Sequence, residues 1–445
     1  MTTLTEDTPR WWPDTVAVLA GASLLVVTAL WVGHGGLQDL TGGGALSATG
    51  RLLGLWASDL LLIQVLLMAR IPLAERAFGQ DRLARWHRWT GFTSFWLMVA
   101  HIVLITLGYA ATAGTDPFRQ LRDMIVNFPG LLLAAAGTLA LVMVVVTSIR
   151  AARRRLRYES WHLLHLYAYL GAFLALPHQL WSGSDFVGSP VATAYWWGLW
   201  GLAVAAVLAY RVVVPLLRNR RHRIVVDRVV PEANGVTSVY FNGNDLRKLP
   251  VRAGQFFHWR FLDGPGWTRS NPFSLSAAPA EQIRITVKDS GDGSSRVATL
   301  KRGTRVLVEG PYGKLTGERY TGGPVVLMAC GIGITPLLSL LGELPYAPGE
   351  ATLLYRVRDD ASTAFRQELD WYAVERGVRV VYLTGPRGRS WLPGDRTDEL
   401  TGLAPDIAAA SVYICGPEEW AVQARTAARA AGVPAARVHT ELFTW

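Results

Sequence analysis

Long apolar runs constrain this chain more than any other feature. Six of them, at 16–33, 51–70, 88–110, 129–149, 161–181 and 191–216, are each long enough to cross a hydrocarbon layer as a helix. A layer about 30 Å thick takes roughly 18–25 apolar residues at the helical rise. Beyond Arg218 short apolar runs alternate with polar turns, so the first half reads as membrane and the second as water-soluble. Half of the 445 residues are hydrophobic, an excess that the first half accounts for. The run at 16–33 follows an acidic, proline-containing leader and lacks a small-residue cleavage site, so it is read as a helix and not as a signal peptide.

Basic residues orient such a bundle. Arg70, Arg76, Arg82, Arg85 and Arg88 lie between or at the edges of the second and third runs, Arg150, Arg153, Arg154, Arg155 and Arg157 between the fourth and fifth, and Arg218, Arg220, Arg221 and Arg223 after the sixth. These are alternate loops and share one face, whereas the opposite loops carry mainly Arg51, Arg119 and Arg122. The expectation is an integral protein of the plasma or inner membrane with both termini and the whole second half in the cytoplasm. The net charge of +10 is concentrated in those clusters, where anionic lipid headgroups and not nucleic acid are the natural partner. Cys330 and Cys415 have no metal-ligand spacing and imply no disulfide framework.

Imidazole is costly in hydrocarbon and is a common haem ligand, so histidines inside the runs are functional candidates. His87 and His101 belong to the third run, and His162, His165 and His178 to the fifth. A step of 14 residues, from His87 to His101, covers about 21 Å along a helix and returns within about 40° of one face. The 13-residue step from His165 to His178 covers about 20 Å, but on an ideal helix lies about 140° off-face, so a distortion near Pro177 is expected. Two such helices can grip two stacked haems, His87 with His165 at the inner one and His101 with His178 at the outer one. His162, a turn before His165, is an alternative inner ligand or a propionate partner. This arrangement resembles the ferric reductase-like transmembrane family, which includes the NADPH oxidases and ferric-chelate reductases. The resemblance covers about residues 50–217 and implies a transmembrane electron wire through two b haems.

In the second half, β-branched and aromatic runs at 224–230, 237–241, 255–261, 283–288 and 305–309 read as an antiparallel barrel. Beyond Gly323 strands and helices alternate, which is the pattern of a parallel sheet suited to a dinucleotide. Within the barrel, Arg269-Ser270-Asn271-Pro272-Phe273-Ser274 can lay Phe273 along a flavin while Ser274 and nearby amides bond it. The segment resembles the flavin motif of the ferredoxin–NADP reductase superfamily, with Asn271 where that family has Arg or His, so Arg269 could take the phosphate instead. Gly291-Asp292-Gly293-Ser294-Ser295 precedes an expected helix through Leu300, whose first amides can hold a pyrophosphate.

Cys330-Gly331-Ile332-Gly333-Ile334-Thr335-Pro336 follows an apolar strand and opens a helix, which lets the backbone approach phosphate closely. It resembles the superfamily's nicotinamide-nucleotide loop, and Cys415-Gly416-Pro417 resembles its second signature, in which the cysteine lies near the nicotinamide. Arg356 and Arg358 close the next strand and are placed to meet a 2′-phosphate, with Arg387 and Arg389 further on; they favour NADPH, with NADH possible. Near the C-terminus, Glu441-Leu442-Phe443 resembles the family's terminal aromatic that covers the flavin, with Trp445 as the alternative ring.

The expected architecture is therefore an all-α six-helix transmembrane bundle binding two haems (1–217), an antiparallel β-barrel FAD domain (218–320) and an α/β NAD(P)H domain (321–445). A nicotinamide gives up two electrons together and a haem takes one, so a flavin must stand between them. The expected activity passes electrons from NADPH through FAD and two haems to an external acceptor, either oxygen or a ferric chelate. A second reading is a flavocytochrome b subunit that feeds a partner protein, and a third is a haem-free anchor for a soluble flavin reductase.

Overall fold

The computed structural model describes residues 12–41, 44–153, 158–187, 189–264, 266–388, 390–394 and 399–443. Arg154, Arg155, Arg157, Arg389 and Trp445 lie outside them, as does the side chain of Phe443. The chain divides into two compact units, Met1–Val213 and Val214–Trp445.

The first unit is helical: α1 (Trp12–Gly33), α2 (Ala45–Met68), α3 (Gln80–Ala113), α4 (Pro117–Asn127), α5 (Leu131–Ser148), α6 (Tyr158–Trp181) and α7 (Pro190–Leu208). Among the described residues four stretches are long and apolar enough to cross a membrane: Ala45–Met68, Arg82–Ala113, Leu131–Ser148 and Pro190–His222. α1 and α6 fall on the first and fifth runs of the sequence. α1 contributes only the shorter apolar helix Val18–Gly33, and α6 is diluted by three histidines and a proline.

Two helix pairs pack through small residues, which let backbones approach closely. A Cβ on Gly108 of α3 would stand 2.2 Å from Ser47 Oγ of α2, and one on Gly137 of α5 would stand 2.7 Å from Gly171 O of α6. Outward faces carry exposed Leu25, Leu132, Leu139 and Phe173, the surface that lipid tails cover.

The second unit opens with α8 (Val214–His222) and continues with six antiparallel strands. These are β1 (Val225–Ala233), β2 (Val236–Asn242), β3 (Phe256–Phe261), β4 (Asn271–Ser274), β5 (Ile283–Lys288) and β6 (Val306–Tyr312). They form two three-stranded sheets, β1-β2-β5 and β4-β3-β6. The bridges Val225↔Arg305 and Leu275↔Ile285 join the sheets at both edges. The interior holds fully buried Phe241, Phe257 and Trp259, and Phe241 stacks on Trp259 at 4.7 Å.

Downstream, β7 (Val325–Cys330), β8 (Ala351–Val357), β9 (Arg379–Thr384), β10 (Ser411–Pro417) and β11 (Val438–Phe443) make a parallel sheet in the order β11-β10-β7-β8-β9. Strands covered on both faces read as unbroken apolar runs, as Val325 to Ala329 do. α9 (Ile334–Glu343) and α10 (Arg366–Glu375) contribute to the core on one face, and α11 (Glu418–Ala430) to that on the other. Arg284 of β5 ties the barrel to α10: buried, it bonds Ser276 Oγ at 3.1 Å and Glu368 through two oxygens at 2.7 and 3.0 Å.

Candidate functional site

In the first unit the histidines of α3 are held by backbone carbonyls of α2. His101 Nδ1–H donates to Gly50 O at 2.7 Å, Ser94 Oγ–H to Ala57 O at 2.7 Å, and His87 Nδ1–H to Gln64 O at 3.1 Å. Both series step by seven residues, which returns each helix to nearly the same face. With Nδ1 as donor, each ring keeps its lone pair on Nε2, the atom that can take a metal. Gly54 makes room for this: a Cβ there would stand 2.5 Å from His101 Nδ1.

On α6, the ring of His165 faces that of His87 with centroids 5.9 Å apart. Two imidazoles this close would hold one metal-centred group between them. His165 Nδ1 lies 3.3 Å from Ser148 Oγ, which accepts from Trp161 Nε1. His162 is within electrostatic range of His165, and His101 of His178. Among the described residues the buried Nδ1 of His178 has no hydrogen bond of good geometry. Pro177 lies inside a continuous α6, and Gly130, at φ 81°, lets the chain before α5 press on the Pro177–His178 backbone.

Among the described residues no three His, Cys, Asp or Glu side chains converge as a metal site. Two-histidine sites suit a haem, whose macrocycle supplies the remaining ligands. The residues present therefore fit that group where His87 and His165 converge, and His101 and His178 repeat the same residue types further along the two helices.

In the second unit, Asn271, Pro272, Phe273 and Ser274 form β4, in register with Trp259, His258, Phe257 and Phe256. Trp259 Nε1 donates to Phe273 O at 3.0 Å, and Ser274 is buried. A Cβ on Gly293 would stand 2.6 Å from Asn271 Oδ1, so the glycine turn abuts this strand. Arg269 passes close to Gly266, next to Arg296, whose Nε donates to Asp263 at 2.8 Å. The helix expected after Gly291 is only a turn, Asp292–Ser295, followed by 3₁₀ geometry to Thr299. The amides of Ser294 and Ser295 both donate to Gly291 O, which removes two of the amides expected to hold an anion.

Gly331 to Gly333 form a 3₁₀ turn between β7 and α9, with Gly331 at φ 55°. Buried Thr335 donates to Ile332 O at 3.0 Å, and Pro336 is the third residue of α9. A Cβ on Gly333 would lie 2.2 Å from Cys415 O, and one on Gly416 2.9 Å from Cys330 Cβ. The two glycine segments thus pack backbone against backbone at the ends of β7 and β10, where the strand order reverses. That is the crevice in which open α/β sheets take nucleotides. Pro417 stands in register with Phe443, and Cys415 with Glu441.

Burial pushes the Cys415 thiol well above its ordinary range, and the Glu441 carboxylate adds to the effect. Burial pushes Cys330 up to about 11, against the charges of Arg356, Lys288 and Arg387. Both thiols are neutral near neutral pH, which makes them contact groups and not nucleophiles.

Arg356 is placed differently from its expected partner Arg358. It is buried, and its guanidinium donates to Val357 O and, at 2.7 Å, to Pro386 O, so it holds the loop after β9. Arg358 is exposed beside Asp359, whose carboxylate is held below its usual range chiefly by the Ser362 hydroxyl. Arg387 pairs with Glu419. Sequence reading missed Lys288 and the positioning groups Gly50, Gly54, Gln64 and Ser94. The seven-residue repeat of Gly50, Ala57 and Gln64 against His87, Ser94 and His101 was the available signal.

Membrane-crossing helices joined to a barrel and a switch-point crevice define an electron-transfer oxidoreductase of the membrane. Residues 53–176 match the family described as "Ferric reductase like transmembrane component". The second half is similar to the ferredoxin reductase component of 3-ketosteroid-9-alpha-monooxygenase from Rhodococcus rhodochrous, 29% identical over 228 residues. That match covers 49% of this chain and 64% of the relative's length. It is also similar to the probable dihydroorotate dehydrogenase B (NAD(+)) electron transfer subunit of Pyrococcus abyssi, 32% identical over 44% of this chain and 70% of that protein. Among solved structures it is similar to the flavohem-like FAD/NAD-binding domain of nitric oxide dioxygenase from Vibrio cholerae, at 25% identity and a TM-score of 0.43, over 50% of this chain and 99% of that one. The chain joins a ferric reductase-like transmembrane domain to a domain of the ferredoxin–NADP reductase type, and through its second half it belongs to that family.

Proposed function

We propose that this chain is a six-helix transmembrane flavocytochrome that moves electrons from cytoplasmic NADPH to an acceptor outside, oxygen or a ferric chelate. The observation that carries this reading is the convergence of His87 and His165 at 5.9 Å, with His101 and His178 within electrostatic range of each other further along the same two helices. Bound FAD would accept hydride from the nicotinamide and release electrons singly to two b haems.

The protein's own groups position and insulate. Gly50 O and Gln64 O fix the tautomer and rotation of His101 and His87, while Ser148 steadies His165. Asn271, Phe273 and Ser274 would line the flavin, with Arg269 and the Gly293–Ser295 turn toward its phosphates. Gly331, Gly333, Thr335, Pro336, Gly416 and Pro417 would cradle the nicotinamide nucleotide, with Cys415 against its ring and Phe443 covering the flavin until the ring arrives. Arg358 is the residue offered to a 2′-phosphate, and Arg356 shapes the neighbouring loop. Six spans put both termini and the reductase domains on the cytoplasmic side, and the domain limits proposed are 1–217, 218–320 and 321–445.

The test is a reduced-minus-oxidised spectrum of purified protein. Two low-spin bis-histidine haems b per chain, reducible by NADPH, are expected. His101→Ala or His178→Ala should remove mainly one haem, and His87→Ala or His165→Ala the other. Haem-free protein from haem-replete cells would end the proposal.

A further inference from the structure

Asp59 lies past the middle of α2, on the face away from α3, and is fully buried. An ionisable side chain inside a membrane helix is expensive and is retained where charge is bound or moved. Ser23 Oγ of α1 donates to Asp59 Oδ1 at 2.6 Å and lies 2.8 Å from the Tyr195 hydroxyl of α7. A serine has one hydrogen to give, so with that hydrogen on the carboxylate the Tyr195 hydroxyl donates to Ser23. The result is an ordered file of hydroxyls, Tyr195 to Ser23 to Asp59. Half-buried Tyr195 sits in the second turn of α7, toward the end that the charge pattern places outside.

Asp59 Oδ2 is buried and, among the described residues, has no hydrogen-bond partner. A bare carboxylate oxygen is disfavoured in such surroundings, whereas the carbonyl oxygen of the neutral acid is tolerated. The groups around it are few. Tyr195 is the titratable side chain facing it from α7, and α1 presents Ser23, which does not titrate. On α2 itself Arg51, two turns toward the outer end, is engaged with Asp39 and Asp185.

A polar seam runs beside this acid toward the outer histidines. The residue before Asp59 is Ser58, whose Oγ accepts from Gln179 Nε2 at 3.1 Å, and Gln179 Oε1 accepts from Trp196 Nε1 at 2.8 Å. Gln179 is neutral and directly follows His178.

We propose that Asp59 is an intramembrane proton-binding residue, loaded from the outer face through Tyr195 and Ser23, whose proton balances the electron on the haem that His101 and His178 would hold. The balancing role rests on the haem reading above; the proton site does not. The balance is simple. One electron would arrive on the haem that this pair holds, and one proton from the outer solution passes through Tyr195 and Ser23 to form an O–H bond on Asp59 Oδ1, the oxygen Ser23 bonds; both leave on oxidation.

Infrared spectroscopy on the full chain in lipid discs tests both halves. A carboxylic C=O band should titrate with pH in the wild type and be absent from Asp59→Asn, and this reading needs no haem. Reduction should increase the same band. The midpoint potential of the outer haem should fall by up to about 59 mV per pH unit, one proton per electron, and the slope should flatten in Asp59→Asn. Tyr195→Phe and Ser23→Ala keep the carboxyl and should slow its protonation at least tenfold after a pH jump, so the proposal stays testable if Asp59→Asn fails to fold. A titrating band unchanged in Asp59→Asn, or protonation as fast in both hydroxyl variants as in wild type, overturns the site. A band that titrates but ignores reduction overturns the coupling alone. A preparation without haem refutes the preceding section while leaving the pH titration to decide this one.

Discussion

At the scale of single residues, Gly333 shows how little space the nucleotide crevice leaves. Its φ of −59° suits any residue, so its reason for being glycine is the Cys415 carbonyl, 2.2 Å from where a Cβ would stand. The obstacle is backbone in a central strand and cannot swing aside. Gly333→Ala should cost about 1–3 kcal/mol of stability, the usual range for overpacking, and should weaken nucleotide binding as β10 and α9 part. Urea unfolding of the purified chain and titration with NADPH would show both, and an unchanged midpoint would mean that the loop has slack.

His439 offers a pH-dependent counterpart. It stacks on buried Tyr413 at 4.8 Å, and burial, with the charge of Arg319, lowers its pKa to about 4. The unfolded chain then binds more protons than the folded one between about 4 and the ordinary 6.5, so this group's contribution to stability falls as pH drops through that window. His439→Phe should lose less stability than wild type between pH 7 and pH 5 when denaturation midpoints are compared. Equal losses would show that the ring is solvated.

At the scale of elements, the α2–α3 pair sets the geometry of the membrane half. Gly54 leaves the room that the His101 ring occupies, since a Cβ there would stand 2.5 Å from Nδ1, and Gly50 O fixes that ring's orientation. If the chain holds two haems as proposed, Gly54→Val should displace His101 and lower haem content to about one per chain, with the inner site unaffected, as a pyridine haemochrome assay would read. Retention of two haems would show that α2 can move away.

Much of this element level was legible in sequence. Hydropathy marked the helical stretches, and the His87–His101 spacing marked a face, because both are properties of one helix. The carbonyls that hold the imidazoles were not legible, since they belong to a neighbouring helix whose register no single run specifies. The inward turn of Arg356 was hidden for a related reason. Its place at the end of β8 is readable, but its turn inward to Pro386 depends on where the loop after β9 lies. The Gly291–Leu300 segment is helical as expected over Asp292–Thr299, but as one α turn that passes into 3₁₀ geometry, a tightening that composition does not reveal.

At the scale of the whole molecule, the proposed order of groups requires that donor and acceptor never meet. The loops rich in arginine, Arg70 to Arg88 and Arg150 to Arg157, and the cluster after Pro190–His222 would all face the cytoplasm with the reductase domains. Oxidation of external NADPH should therefore occur with inside-out vesicles and be absent from sealed right-side-out vesicles until detergent opens them. Each electron that crosses without a companion charge also works against the potential it builds, by about 2.3 kcal/mol per 100 mV. Sealed inside-out vesicles should accordingly slow within the first turnovers and speed up severalfold when a potassium ionophore collapses the potential. Equal rates with and without ionophore would mean that electrons leave on the side they entered, and the chain would then be a cytoplasmic reductase anchored by its helices.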